Sequence, residues 1–470
     1  MSQPKLRMRT LAAYAGPCIP ISGLGLPLAL VVAPFYTIVM LVPQAEVGLI
    51  FTLVRLIDLV VDPLLGHFMD RTRTRWGRRK PWVTVAVPFI LGAVFMLFVP
   101  PLENKGDWVY LTIWAIVAYL AYSTIAIAHM SWGAELSPEY KERSRIQGAR
   151  EFAFIFGMLT VLVLPEIVAL IVPEYFGVGP VGFANKVMVM GLFIIATLPI
   201  AVFIAWKYVP EPPIVEHHGH EDWREAWKVL LTNKSLRRLL LADLFQGLAP
   251  GITAALFIFL ITIAYQLPGQ EFILLLVYFL SGLIGIPVWI RVSYRFSKHR
   301  TLAFAMFYSA VTLPGIMLIA PGDFGMLAAA LAFYGFSYGV AGFLLRAIMA
   351  DVADEDTAKT GKERAGTYYS LLVMTNKMGY ALAPGIAYPV LDMIGFSSAH
   401  GAINSPEAIE GFLYIYIFLP MIFLFLTAAT MWNFPLDEKR QKALREKIAA
   451  DRNSRDMTDQ PLPLSVNEPQ

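Results

Sequence analysis

Stretches of about twenty apolar residues recur down this 470-residue chain, and a helix of that length crosses a bilayer core of about 30 Å. Lipid offers backbone N–H and C=O groups no partners, so such stretches must be helical. They run over 11–40, 47–69, 82–99, 108–128, 146–170 and 187–208. After a polar interval at 211–235, they resume over 239–265, 272–292, 302–320, 326–349, 367–394 and 412–434. The spacing predicts an all-α membrane protein of about twelve spans in two sets of six. Composition agrees: 57% of residues are hydrophobic and 16% charged, against about a quarter charged in soluble domains. A net charge of +3 is too balanced to suggest a nucleic-acid partner. The single Cys18 excludes an intrachain disulfide. The basic start MSQPKLRMRT enters a long apolar segment without a small-residue cleavage site, so a retained first span is expected.

Basic residues in short loops stay cytoplasmic. DRTRTRWGRRK, PEYKERSR, SLRRLL, YRFSKHR, TGKERAG and DEKRQKALREK alternate with LVPQAEV, QLPGQE and APGDFG. Both termini are therefore expected in the cytoplasm of a cell with an inner or plasma membrane. The domain reading is a six-helix bundle at 1–209, a cytoplasmic loop at 210–236, a second bundle at 237–436 and a partly disordered tail at 437–470, with no part in transport assigned to the tail.

The halves echo each other. Span two leads from Pro63 to Arg71 as span eight leads from Pro287 to Arg295, and AELSPEYKERSR resembles ADVADEDTAKTGKERAG. Two six-helix halves around a central cavity suit alternating access. Asp70, Arg71, Glu135, Arg143, Asp351, Asp354 and Arg364 are then expected to form a cytoplasmic gate of ion pairs. The plain alternative is that they are solvated topology determinants, since exposed pairs contribute only about 0 to 1 kcal/mol each.

Charges inside the spans carry most of the functional signal. Asp58 lies about 16 Å along span two; Asp62 follows four residues later on the same face, and Arg55 borders it. Each ionised group at a helix centre costs on the order of 2.5 to 3.5 kcal/mol, so such residues face the bundle interior and mark ion or substrate pathways. Lys377 sits well inside span eleven, Arg150 about a turn into span five, and Ser123 and Thr124 follow Tyr122 in span four. Two carboxylates with a hydroxyl suit Na+ or Li+, and a carboxylate pair can also carry H+. The structural alternative is a neutral cluster in which Arg55 and Lys377 offset Asp58 and Asp62, although buried ion pairs are a weak route to stability.

These motifs together resemble the glycoside-pentoside-hexuronide:cation symporters (melibiose permease-like) of the major facilitator superfamily: RLIDLVVDPLLG with MDRTRTRWGRRKPW, AELSPEYKERSRIQGAREF, and ADVADEDTAKTGKERAGTYY with Lys377. The resemblance implies cation ligands at Asp58, Asp62 and Ser123, coupling to substrate through Lys377, and sugar contact at Arg150. The residues themselves add Arg55 as a charge-balancing group and Tyr122 and Met130, with Lys377, as expected substrate contacts. The resemblance also shows departures. Span one has no acidic residue, Ala126 replaces an acid expected in span four, and Met130 stands about where a sugar-stacking tryptophan is expected. The sodium-dependent lysophospholipid symporters are similar to this family and share the span-two aspartates and the lysine. A sugar or glycoside is thus the expected substrate, with a lysolipid-like solute as the alternative and a non-transporting receptor or scaffold as a third reading. No zinc motif, nucleophile elbow or phosphate loop supports an enzyme, and no cofactor, obligate protein partner or ATP-driven step is expected. In the central loop EHHGHED places His217, His218 and His220 together, at a spacing matching no specific metal site. The WREAWKVL that follows reads as an amphipathic surface helix.

Overall fold

The computed structural model describes residues 6–137, 139–175, 180–211, 232–268, 270–361, 364–396 and 404–458. The first apolar stretch is broken rather than one rod: α1 (Met8–Ala15), α2 (Cys18–Leu30) and α3 (Val32–Ile38) are set off at Pro17 and at Val31, where Pro34 crowds the Leu30 carbonyl one turn before it. Proline removes an N–H from the helical ladder and its ring crowds the preceding turn. The first half continues with α4 (Gln44–Arg71), α5 (Lys80–Phe98), α6 (Trp108–Glu135), α7 (Tyr140–Ile171) and α8 (Pro180–Tyr208). The second comprises α9 (Lys234–Phe259) with a π turn at Leu260–Ala264, α10 (Glu271–Arg295), α11 (Lys298–Thr312) with a 3-10 turn at Leu313–Leu318, α12 (Phe324–Gly335), α13 (Tyr338–Thr360), α14 (Ala365–Met393) and α15 (Pro406–Trp432). A tail helix, α16 (Glu438–Thr458), follows.

Helix starts are fixed where the chain supplies a cap. The Asp107 carboxylate accepts the N–H groups of Val109 at 2.9 Å and Tyr110 at 3.0 Å to open α6, and Asn233, Asp323 and Ser405 do the same for α9, α12 and α15. Asp107→Ala is expected to cost about 1 kcal/mol, measurable as a shift in unfolding of the detergent-solubilised protein.

Each half has its own apolar core. Leu24, Phe35, Ile90, Leu111, Ile125 and Ile194 belong to the first, and Leu239, Ile252, Leu302, Phe343 and Phe412 to the second. Among the described residues, ten helical segments are long and apolar enough to cross a membrane. The two helices that complete six spans per half, α4 and α14, carry Asp58, Asp62 and Lys377 within the span, and they pack on each other across the halves. Their backbones meet at Gly66 and Gly366: a Cβ on either would collide with the other's carbonyl oxygen. A second apolar contact joins the halves where α7 packs on α10 through Ile155, Met158, Phe279 and Ile286.

Candidate functional site

The α4–α14 seam brings together residues more than 250 positions apart. Asp58 and Asp62, one turn apart on α4, are buried at 3% and 0% exposure, and Ser123 of α6 faces them at 0%. The Ser123 hydroxyl donates to Asp58 Oδ1 at 2.5 Å. From the other half the Lys377 ammonium donates to Asp58 Oδ2, to Asp62 Oδ2 at 2.8 Å and to Ser123 Oγ at 2.9 Å. All three ammonium hydrogens are thereby used. Asp62 Oδ1 is buried without a hydrogen-bond partner. Two carboxylates against one ammonium leave a net charge of −1 amid oxygen donors, which is the donor set and charge a monovalent cation satisfies. The Arg55 side chain lies outside the described residues.

Deeper toward the end that carries the basic loops, a second set of charges closes the seam. Asp70, at the end of α4, accepts the backbone N–H of Gly366 and of Thr367, both at 2.7 Å, and the Thr367 hydroxyl at 2.9 Å. A carboxylate of the first half thus caps α14 of the second, where the helix dipole favours negative charge. Asp70 also binds Arg79 at 2.8 Å, and Arg79 binds Glu135 at 2.6 Å. Burial works against the Arg79 charge, but Glu135 and Asp70 outweigh it and hold the guanidinium above its ordinary range. On α7, Arg143 reaches across to Asp351 at 2.9 Å and Asp354 at 2.5 Å on α13. Lys298 joins Asp351 at 2.6 Å and Arg445 of α16 joins Asp354 at 2.6 Å. Burial, and next Arg143, push the Arg445 guanidinium down to about 10.

The gate residues of the sequence reading divide accordingly. Asp70, Glu135, Arg143, Asp351 and Asp354 lie within this network. Arg71 is exposed at the helix end, and Arg78 and Arg79 reach Asp70. Arg364 lies 3.9 Å from Asp356 of its own half. The tail helix, to which the sequence reading gave no part, is pinned to Asp354, whose lone pairs serve two arginines.

A third set lies in the spans between these two. Arg150 is buried, with Nη1 3.5 Å from Glu151 Oε2 and with Nε and Nη1 lacking hydrogen-bond partners. Arg346 of α13 donates to the same Glu151 oxygen at 2.9 Å and to Met130 Sδ at 3.2 Å. Met130 is therefore occupied by the opposite half, while Tyr122 is half-buried against Gly25 of α2. His129 is a packed histidine, stacked 4.4 Å from the Tyr14 ring with Nε2 2.7 Å from the Tyr14 carbonyl. Sequence reasoning missed Arg346 and Glu151, although an arginine inside LLRAIMA and an acid directly after Arg150 were as visible as Lys377. His217, His218, His220 and the amphipathic segment after them lie outside the described residues.

Comparison with known proteins gives concordant results. A family profile described as MFS/sugar transport protein matches residues 13–438. The chain is 26% identical to the inner membrane symporter YicJ of Escherichia coli over 88% of its own length and 89% of that protein's. It is 22% identical to the isoprimeverose transporter of Lactiplantibacillus pentosus, over 88% and 85% of the two chains. In fold it is similar to the E. coli fucose:proton symporter FucP, with a TM-score of 0.63, 14% identity and coverage of 90% and 98%.

Proposed function

The chain belongs to the MFS/sugar transport protein family, and from that premise we propose that it is a cation-coupled symporter carrying a sugar or glycoside by alternating access. The observation that carries the reading is Lys377, an ammonium of one half held by two buried carboxylates of the other. A monovalent cation, Na+, Li+ or H+, competes with Lys377 for Asp58 and Asp62. Cation occupancy neutralises the surplus charge and loosens the α4–α14 link, so the state of the site and the relation between the halves change together.

On this reading the bundles at 1–209 and 237–436 rock about the seam in an inner or plasma membrane. The basic end faces the cytoplasm, and the Asp70 and Arg143 networks are its gate. The substrate is bound among Arg150, Glu151, Arg346 and Tyr122, where unpartnered guanidinium N–H groups suit hydroxyl oxygens. One elementary charge moving through 100 mV supplies about 2.3 kcal/mol, enough to concentrate a neutral solute roughly 50-fold at 1.4 kcal/mol per decade.

The direct test is uptake into proteoliposomes under an imposed Na+, Li+ or H+ gradient, after a thermal-shift screen of monosaccharides, glycosides and lysolipids with and without Na+. Gradient-driven accumulation of a sugar or glycoside is expected. Stabilisation by lysolipids alone would overturn the sugar assignment.

A further inference from the structure

Among the described residues, buried carboxylates are paired with cations, with one exception. Asp58 and Asp62 have Lys377, Asp70 has Arg79, Glu142 has Arg145, Glu151 has Arg346, Asp351 and Asp354 have Arg143, Glu355 has Lys359 and Asp356 has Arg364. Asp243, at 3% exposure on α9, makes no ion pair among the described residues. Its oxygens accept the Thr375 hydroxyl at 2.7 Å and the Asn376 amide at 3.5 Å, both neutral donors from α14. It lies nine residues into α9, about 14 Å from the basic end at 1.5 Å per residue, within the depth of the hydrocarbon core.

We propose that Asp243 is a second cation site, one that takes a proton, placed in the opposite half from Asp58 and Asp62 and linked to them through α14. An ionised carboxylate without a countercharge is disfavoured at that depth, so it is neutralised by a proton or by a metal ion. The surroundings select the proton. The two groups that meet the Asp243 oxygens are donors, an O–H and an N–H, whereas metal ions are held by sets of oxygen acceptors. Among the described residues, no second carboxylate pairs with it as Asp62 does with Asp58.

The charged and titratable neighbours are committed elsewhere. Arg346 of α13 is engaged by Glu151, Met130 and the Gly342 carbonyl, and Lys377 by Asp58, Asp62 and Ser123. Tyr380 of α14 is the near phenol. The π turn has no acid or base, and α15 has none beyond Glu410 apart from tyrosines.

The link is built into consecutive residues. Thr375 and Asn376 serve Asp243 while Lys377, about 100° further round the helix, serves Asp58 and Asp62. Any displacement of α14 that follows release of Lys377 alters the donors on Asp243. The step balances simply: the carboxyl O–H breaks and the proton passes to the aqueous phase on the open side, or the reverse.

Infrared spectroscopy of the full chain in lipid nanodiscs tests this without substrate or ion gradient, so its result stands apart from that of the transport assays. The wild type is expected to show a protonated-carboxyl C=O band that titrates away between about pH 5 and pH 9, the range open to buried carboxyls. The band should be missing from Asp243→Asn, restored in Asp243→Glu and retained in Asp62→Asn. A spectrum unchanged in Asp243→Asn, or a band that ignores pH throughout, would overturn the proposal. Matched thermal unfolding of the variants confirms that a lost band is not lost fold.

Discussion

Asp62→Asn is expected to collapse gradient-driven accumulation from as much as about 50-fold at 100 mV to simple equilibration, while leaving downhill exchange of substrate in place. Asparagine keeps the shape and the acceptor oxygen toward Lys377 but removes the charge. The site then sums to zero, with Asp58 and Lys377 as a closed pair, and nothing draws a cation from water. Asp58→Asn should act alike, because it leaves Asp62 and Lys377 in the same balance. Ser123→Ala removes only a neutral hydroxyl, which donates to Asp58 and accepts from Lys377. Its expected effect is about 0.5 to 1.5 kcal/mol, or up to about tenfold in apparent cation affinity, with coupling retained. Counterflow and active uptake in the same vesicles separate the two behaviours. Intact cation-dependent accumulation in both aspartate variants would remove these residues from the coupling site.

The contrast between Asp62 and the residues the sequence left unread is instructive about what a membrane chain reveals. An ion inside an apolar span stands out at once, and its cost in lipid points inward, so Asp58, Asp62 and Lys377 stood out before their geometry was known, while the family resemblance added Ser123 to them. The spans themselves follow from length and hydropathy. What stayed hidden depends on which face meets which. Spans that are apolar all round have no periodicity to reveal an inner face, so the pairing of Arg346 with Glu151, across 195 positions, had no local signal. The run RTRTRWGRRK reads as a topology block; that Arg78 and Arg79 turn inward to Asp70 while Arg71 stays exposed is decided by the turn through Gly77, whose φ of 101° favours glycine. The role of Asp70 as a cap on α14 rests on a contact across 296 positions. The apparent repeat also misleads in one respect: Glu-Arg opens both α7 and the approach to α14, yet Arg143 crosses between halves and Arg364 pairs within its own.

That asymmetry singles out Arg143→Ala as the variant that should open the basic end. Arg143 is buried and joins α7 to the basic end of α13 at Asp351 and Asp354, while the other ion pair between these helices, Glu151 with Arg346, lies deeper in the spans. Removal of Arg143 strands neither aspartate, since Lys298 keeps Asp351 and Arg445 keeps Asp354, and both cations belong to the second half or its tail. The loss therefore falls on the equilibrium between closed and open arrangements rather than on folding. Breaking a buried ion pair costs about 3 to 5 kcal/mol, and the retained cations place the effect near the lower end, roughly two decades in the closed-to-open ratio. A cysteine placed at Ser144, beside Arg143 and buried, reports the change through its labelling rate with a membrane-impermeant thiol reagent applied from the cytoplasmic side. Labelling should be at least tenfold faster in the Arg143→Ala background. Asp70→Ala should shift it in the same direction by uncapping α14, whereas Lys186→Ala, which breaks an exposed pair with Glu166, should leave it unchanged. Equal rates with and without Arg143 would return the whole network to the status of solvated topology charges.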